Sequence, residues 1–266
     1  MKKLMKISAR PKLNEPNMVA AWPGIGGVAT IVAAYLKKKL NFKDLGELDA
    51  PYFFEPVGVL VRDNVVEEPQ FPQTKFHYFK NKEGANDVIL VMGDDQPQSK
   101  SYELANCVVD LALRFHVKRI YTCAAALTRI HHTEQPKVWG VATSPDITPD
   151  LAQHDLIKNG NLHISGMNGL ILGVAKERGV DAVCLLGEVP LYATKIQNPM
   201  AALAILDVLA KILAVDVDMT ELAQIASETK ERMKQVAAEA MGEYIDYFTA
   251  PIWEQGEEEE DEDEEE

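Results

Sequence analysis

Asn17-Met-Val-Ala-Ala-Trp-Pro-Gly-Ile-Gly-Gly-Val-Ala29 sets the reading of the chain. Its apolar run, residues 18–22, has the length of a buried strand. Pro23, Gly24, Gly26 and Gly27 then make a tight turn, and the apolar segment 28–40 has the length of a helix. A glycine turn between a strand and a helix points backbone N–H groups into a crevice at the strand's carboxyl end. The same turn also serves simply to bring a helix close to a sheet.

Outward from this unit the pattern alternates. Strand candidates are 18–22, 57–61, 87–92, 119–123, 138–142 and 182–186, and helix candidates are 28–40, 101–115, 166–178 and 199–213. Strands apolar throughout, alternating with helices, imply a mainly parallel twisted sheet with helices on both faces, a three-layer α/β fold. Residues 71–79 alternate in polarity and are expected as an edge strand, and the segment around residues 45–49 reads as a poor strand. Asn198 suits an N-cap and Pro199 the first helical position. Beyond Asp216 the texture changes. Asp218-Met-Thr-Glu221 has capping-box spacing. Leu222, Ile225, Thr229, Met233, Val236 and Ala240 then share one stripe of a long amphipathic helix, which Gly242 is expected to end or weaken. Leu222, Ile225, Met233 and Val236 are the interface candidates. The expected organisation is an α/β core over 1–216, a helical segment over 217–253 and a disordered acidic tail over 254–266.

The charge bears on partners. Of a net −14, ten units lie in residues 257–266, all Asp or Glu, which leaves −4 on the rest. A run this dense repels itself and is expected to stay disordered, solubilising the protein or docking on a basic surface. No basic patch suited to phosphates is visible, so nucleic acid is not expected as a partner. No apolar run is long enough to span a membrane, and no secretory signal is expected. Cys107, Cys123 and Cys184 are odd in number and set among apolar residues, as reduced buried thiols of a cytoplasmic protein would be.

Several segments could carry chemistry. Gly24-Ile-Gly-Gly-Val-Ala29 fits G-x-G-x-x-A, with Asp44 or Glu47 about 20 residues on as a ribose partner. Asp94, Asp95 and Gln96 follow the strand 87–92, at the end where open α/β sheets bind ligands. Asn168 stands in the glycine-rich opening of the helix 166–178, which Ser165 could cap. Glu188 and Tyr192 end the last strong strand. Gly24, Gly26, Gly27, Asp94, Gln96, Asn168, Glu188 and Tyr192 are thus the ligand-binding candidates. A lysine-bearing phosphate loop and a nucleophile elbow are missing. His131-His132 has no partner at metal-like spacing and is expected in an exposed loop. No catalytic residue, metal or cofactor is assigned.

Trp22-Pro-Gly-Ile-Gly-Gly-Val-Ala29, Val91-Met-Gly-Asp94-Asp-Gln-Pro, Ser165-Gly-Met-Asn-Gly169, Leu186-Gly-Glu-Val-Pro-Leu-Tyr192 and Asn198-Pro-Met-Ala-Ala202 stand together in an order that resembles the proteasome assembly chaperone two family. The resemblance runs over about residues 15 to 240. It implies a fold similar to purine nucleoside phosphorylases and a cytoplasmic protein that self-associates, as a trimer. It also implies a role in proteasome assembly through protein–protein contact, with proteasome subunits as partners. Such chaperones often end in a hydrophobic–tyrosine–any tripeptide, whereas this chain ends Asp-Glu-Asp-Glu-Glu-Glu266, so docking by a terminal tyrosine motif is not expected. The alternative is a nucleoside- or nucleotide-binding enzyme or sensor that uses the crevice.

Overall fold

The computed structural model of the chain describes residues 4–56, 58–82, 84–157 and 162–249. In chain order the elements are β1 (Met5–Ile7), β2 (Asn17–Ala21), α1 (Val28–Lys39), β3 (Lys43–Leu48), α2 (Ala50–Phe53), β4 (Val61–Arg62), β5 (Val65–Val66), β6 (Thr74–Phe79) and β7 (Val88–Gly93). Then follow α3 (Ser101–Arg114), β8 (Arg119–Thr128), β9 (Val138–Ala142), α4 (Thr148–Ala152), α5 (Gly166–Glu177), β10 (Ala182–Pro190), α6 (Pro199–Leu213) and α7 (Thr220–Thr249). Eight strands form one sheet in the order β1-β3-β6-β7-β2-β8-β10-β9.

The centre of the sheet, β7-β2-β8-β10, is parallel. Parallel neighbours need crossovers, and helices supply them, so these strands are covered on both faces. Accordingly all five residues of β2 are buried. One core layer joins Val19, Leu90, Cys123 and Leu185 to α1 and α6. The opposite layer joins Met18, Ile89, Cys184 and Leu186 to α3 and α5. This is the expected three-layer α/β architecture, with antiparallel strands on both flanks of the parallel centre. Cys107, Cys123 and Cys184 are free and buried. Burial drives the thiols up, to about 11 at Cys107 and about 12 at Cys184.

Four local expectations are corrected. Residues 71–79 give no edge strand, because β6 lies between β3 and β7. The polar segment Lys43–Leu48 supplies the missing neighbour, with Leu45 and Leu48 buried and a bulge between Asp44 and Gly46. Residues 57–61 give no sheet strand either. Val61–Arg62 instead pairs with Val65–Val66 in a separate hairpin, whose turn residues Asp63 and Asn64 take φ of 50° and 61°. Two positive φ values match the primed turns that suit hairpin twist; Val57 is outside the described residues. Gly242 does not end α7, which runs on to Thr249. Finally, Asp218 accepts from Thr220 N–H (3.1 Å), but Glu221 pairs with Lys38 rather than closing a capping box.

The start of α7 is fastened to α1. Tyr35 Oη donates to Asp218 O (2.9 Å) and accepts from Leu222 N–H (3.3 Å). Lys39 pairs with Asp218, and this bond holds the Asp218 carboxyl well below the usual carboxylate range. The acidic run 257–266 lies outside the described residues.

Burial of β6 gives His77 an unusual setting. Its side chain is buried between Lys37 Nζ, 3.0 Å from Nε2, and Asp44 Oδ1, 2.9 Å from Nδ1. Lysine can only donate, so the geometry assigns a neutral ring with its proton on Nδ1, donated to Asp44. Burial, then the Lys37 charge, push the imidazole below its ordinary value, against the opposite pull of Asp44. The unfolded chain therefore binds the proton more readily. Stability should rise with pH through the window below about 6.5 and level off above it. His77→Asn is expected to flatten that rise, as read from urea midpoints between about pH 5 and 7.5.

Candidate functional site

The parallel strands β7, β2, β8 and β10 direct their carboxyl ends to one rim. β2 runs into Trp22, Pro23 and Gly24 and then a 3-10 turn, Ile25–Gly27, before α1. Gly26 and Gly27 take φ of 64° and 59°, a region that glycine enters at little cost. What they approach is the chain itself. A side chain at Gly26 would press on Asn198 Cβ at 3.0 Å, and one at Gly27 would meet Gln197. Gly26 O accepts from Asn198 N–H (2.7 Å). Asn198 Oδ1 in turn accepts from Ala201 N–H (3.0 Å), the cap that Asn198-Pro199 announces. The turn that fits G-x-G-x-x-A is therefore packed on the first turn of α6.

Asn168 belongs to the same junction. Its Oδ1 accepts from Trp22 N–H (3.0 Å) and its Nδ2 donates to Trp22 O (3.1 Å), so α5 completes the hydrogen bonding of the end of β2. Gln96 makes a second brace. Its Nε2 donates to Pro23 O (2.5 Å) and its Oε1 accepts from Met167 N–H (3.1 Å). The fully buried Trp22 ring lies over Gly93, where any Cβ would overlap the indole nitrogen.

Between these braces and β8 is a cleft of about 440 Å³. Gly24, Gln96 and Asn168 line it, with Ile25, Leu127 and Leu162 exposed at its lips. The other ligand candidates stand elsewhere. Asp94 is turned toward β6 and accepts from Gln73 N–H (3.1 Å). Glu188 accepts from Lys137 N–H (3.0 Å) beside β9. Tyr192 Oη accepts from His132 N–H (3.0 Å) and lies 2.9 Å from its Nδ1, which buries His132; the expectation of two exposed histidines is corrected at this position. Ser165 makes no side-chain cap and instead lines the cleft with His163. The floor, Ala124 to Leu127, was not singled out in the sequence. The run Ala-Ala-Ala was its one signal, since small side chains at a strand's end leave room above them.

The interface candidates also divide. Leu222 and Met233 are buried, so they face the body of their own chain, whereas Ile225 is 44% exposed. The side chain of Val236 is outside the described residues. Among the described residues no His, Cys, Asp and Glu side chains gather in a metal-binding group, and no helix is long and apolar enough to cross a membrane.

Comparison with known proteins adds a lineage to this geometry. Residues 18–237 match the family model described as PAC2 family. An uncharacterized protein of Methanocaldococcus jannaschii is 27% identical over 235 residues, covering 87% of this chain and 86% of that one. The crystal structure of Pyrococcus furiosus PbaB, described as an archaeal proteasome activator, superposes with a TM-score of 0.75 at 30% identity, over 88% of this chain and 98% of that one. A PAC2 family protein from Streptomyces avermitilis superposes with a TM-score of 0.71 at 25% identity, over 86% and 99%.

Two outcomes follow from the braced rim. Asn168→Ala would orphan both backbone groups of Trp22 in a buried place and is expected to cost about 2–3 kcal/mol in urea unfolding. Gly93→Ala forces a methyl against the indole and should cost about 1–3 kcal/mol in the same assay.

Proposed function

The chain belongs to the PAC2 family, and on that premise we propose that it is a proteasome-assembly-chaperone-like protein of the cytoplasm, acting by protein–protein contact rather than by bond making. The observation that carries the reading is the β4–β5 hairpin. Val59, Leu60, Val61, Val65 and Val66 are each more than half exposed, from 51% to 66%. Five aliphatic side chains this open within eight residues are unusual for a soluble surface, and exposed apolar clusters of that kind serve as contact sites. The rim supports the same reading, since the amides of Asn168 and Gln96 and the carboxylates of Asp94 and Glu188 are each engaged with backbone groups of the chain. Similarity to a proteasome activator points to proteasome subunits as partners. Self-association, with a trimer as the favoured form, is the second contact expected.

The cleft beside Gly24, Gln96 and Asn168 favours one other reading, a nucleoside or nucleotide ligand. Thermal shift separates the two. A ligand at one hundred times its Kd would add about 2.7 kcal/mol, and nucleosides, nucleotides and phosphate are expected to leave Tm unchanged.

The direct test mixes the purified chain with proteasome α subunits of its own organism and follows sedimentation. Co-sedimentation is expected, and the double substitution Val61→Asp, Val66→Asp should weaken it at least about tenfold, a loss of some 1.4 kcal/mol. Both side chains point to solvent, so Tm should hold. Binding that ignores the hairpin charges, or no binding at all, would defeat the proposal.

A further inference from the structure

We propose that a polar cavity at the amino ends of β2 and β8, the end of the sheet opposite the glycine turn, is a binding site for a small organic carboxylate of single negative charge. The inference does not depend on the protein–protein role argued above, and it uses none of the groups braced at the rim.

The cavity measures about 250 Å³ and lies between the sheet, α4 and the last turn of α6. One water needs only ~10–15 Å³. β2 and β8 run parallel, with Asn17 opposite Arg119 and Val19 opposite Tyr121. Side chains two apart on a strand share a face. Asn17, Arg119 and Tyr121 therefore project into the layer beneath α1 and α6, where Val19 and Tyr121 belong to the core. All three line the cavity. Lys118 N–H donates to Pro16 O (2.8 Å), which holds Lys118 beside Asn17 at the mouth.

Unmet donors mark it as a site. Asn17 is only 5% exposed, yet among the described residues its carboxamide has no partner; its backbone N–H alone bonds outside the ladder, to Asp87 O (2.8 Å). A buried polar group left unpaired is costly, and the rarity of such groups asks for an occupant. Arg119 repeats the pattern. Its Nη2 donates to Asp150 (2.9 Å) and lies 3.8 Å from Asp181, but its Nε is buried with no partner. An arginine has five N–H donors in a fixed fork, and an oxyanion can take those that Asp150 leaves.

Charge sets the class of ligand. Lys118, Arg119 and Lys211 line the cavity against one carboxylate, Asp150, in a chain of net −14. Lys211 is answered on its own helix by Asp207 (2.6 Å), and Arg119 by Asp150 and Asp181. Lys118 is exposed and, among the described residues, has no carboxylate partner. One positive charge is thus left over, which a monocarboxylate matches. A phosphate group, at about −1.5 to −2, would bring surplus negative charge beside Asp150 and Asp181.

Isothermal titration of the full chain with acetate, lactate and glutamate, and with inorganic phosphate at matched ionic strength, tests the proposal. At least one carboxylate is expected to saturate a single site with a Kd below about 1 mM and to bind at least about tenfold tighter than phosphate. Lys118→Gln and Asn17→Leu should each weaken that binding about tenfold or more. Asn17→Leu strands no internal partner, so its Tm should hold or rise. No carboxylate saturating below about 1 mM, phosphate binding as tightly, or affinity indifferent to either substitution would each overturn the proposal. So would a fall in Tm for Asn17→Leu, since the amide would then serve the fold.

Discussion

The paired amide of Asn168 and the backbone of Trp22 locks the carboxyl end of β2 to the first turn of α5. A parallel strand buried on both faces meets a problem where it leaves the sheet. Its next peptide group has lost its ladder partner and has no water to replace it. Leaving those groups unbonded would cost about 1–3 kcal/mol apiece, so a side chain must stand in. Asn168 supplies a donor and an acceptor at once, which few side chains can do. Gln96 does the same between Pro23 and Met167, whereas Asn198 bonds Gly26 O through its backbone N–H and Ala201 N–H through its side-chain oxygen. Two side-chain amides and the Asn198 cap therefore close the rim from within and set α5 and α6 against the sheet.

That closure bears on function. In a nucleotide enzyme the glycine turn, the helix terminus and the nearby polar side chains would be left for a substrate. Here each is spent on a neighbouring segment. The cleft that remains has largely apolar lips, Ile25, Leu127 and Leu162. Among the described residues the most exposed large aliphatic side chains lie elsewhere, on the two-residue strands of the hairpin. A protein that directs its polar groups inward and its aliphatic groups outward is suited to meeting other proteins.

Much of this was legible in the sequence where one physical signal dominated. The run Met18 to Ala21 had no polar residue to suggest anything other than a covered strand, and Asn198-Pro199 marked a helix start to the residue. Long-range pairing was hidden. β3 reads as a poor strand because Lys43, Asp44 and Glu47 are charged, yet it is a ladder neighbour of β6, and its presence moves β6 off the edge. Polar groups at strand ends often face a crevice, which makes Asp94 and Glu188 read as ligand candidates. Asp94 and Glu188 were turned aside by backbone donors of Gln73 and Lys137, and no local pattern reports those partners. Likewise the stripe through Leu222 and Met233 showed that α7 has an apolar face, but not that the chain's own body covers it.

Cys123 and Cys184 stand on adjacent strands yet project into opposite core layers, one toward α1 and α6, the other toward α3 and α5. They cannot bridge while the sheet is intact, and their depressed acidity keeps the thiolates scarce. Neither can be reached by an alkylating reagent until one whole layer separates from the sheet. The two sulfurs thus divide the molecule's opening events between them, each counting the excursions of a different half of the core.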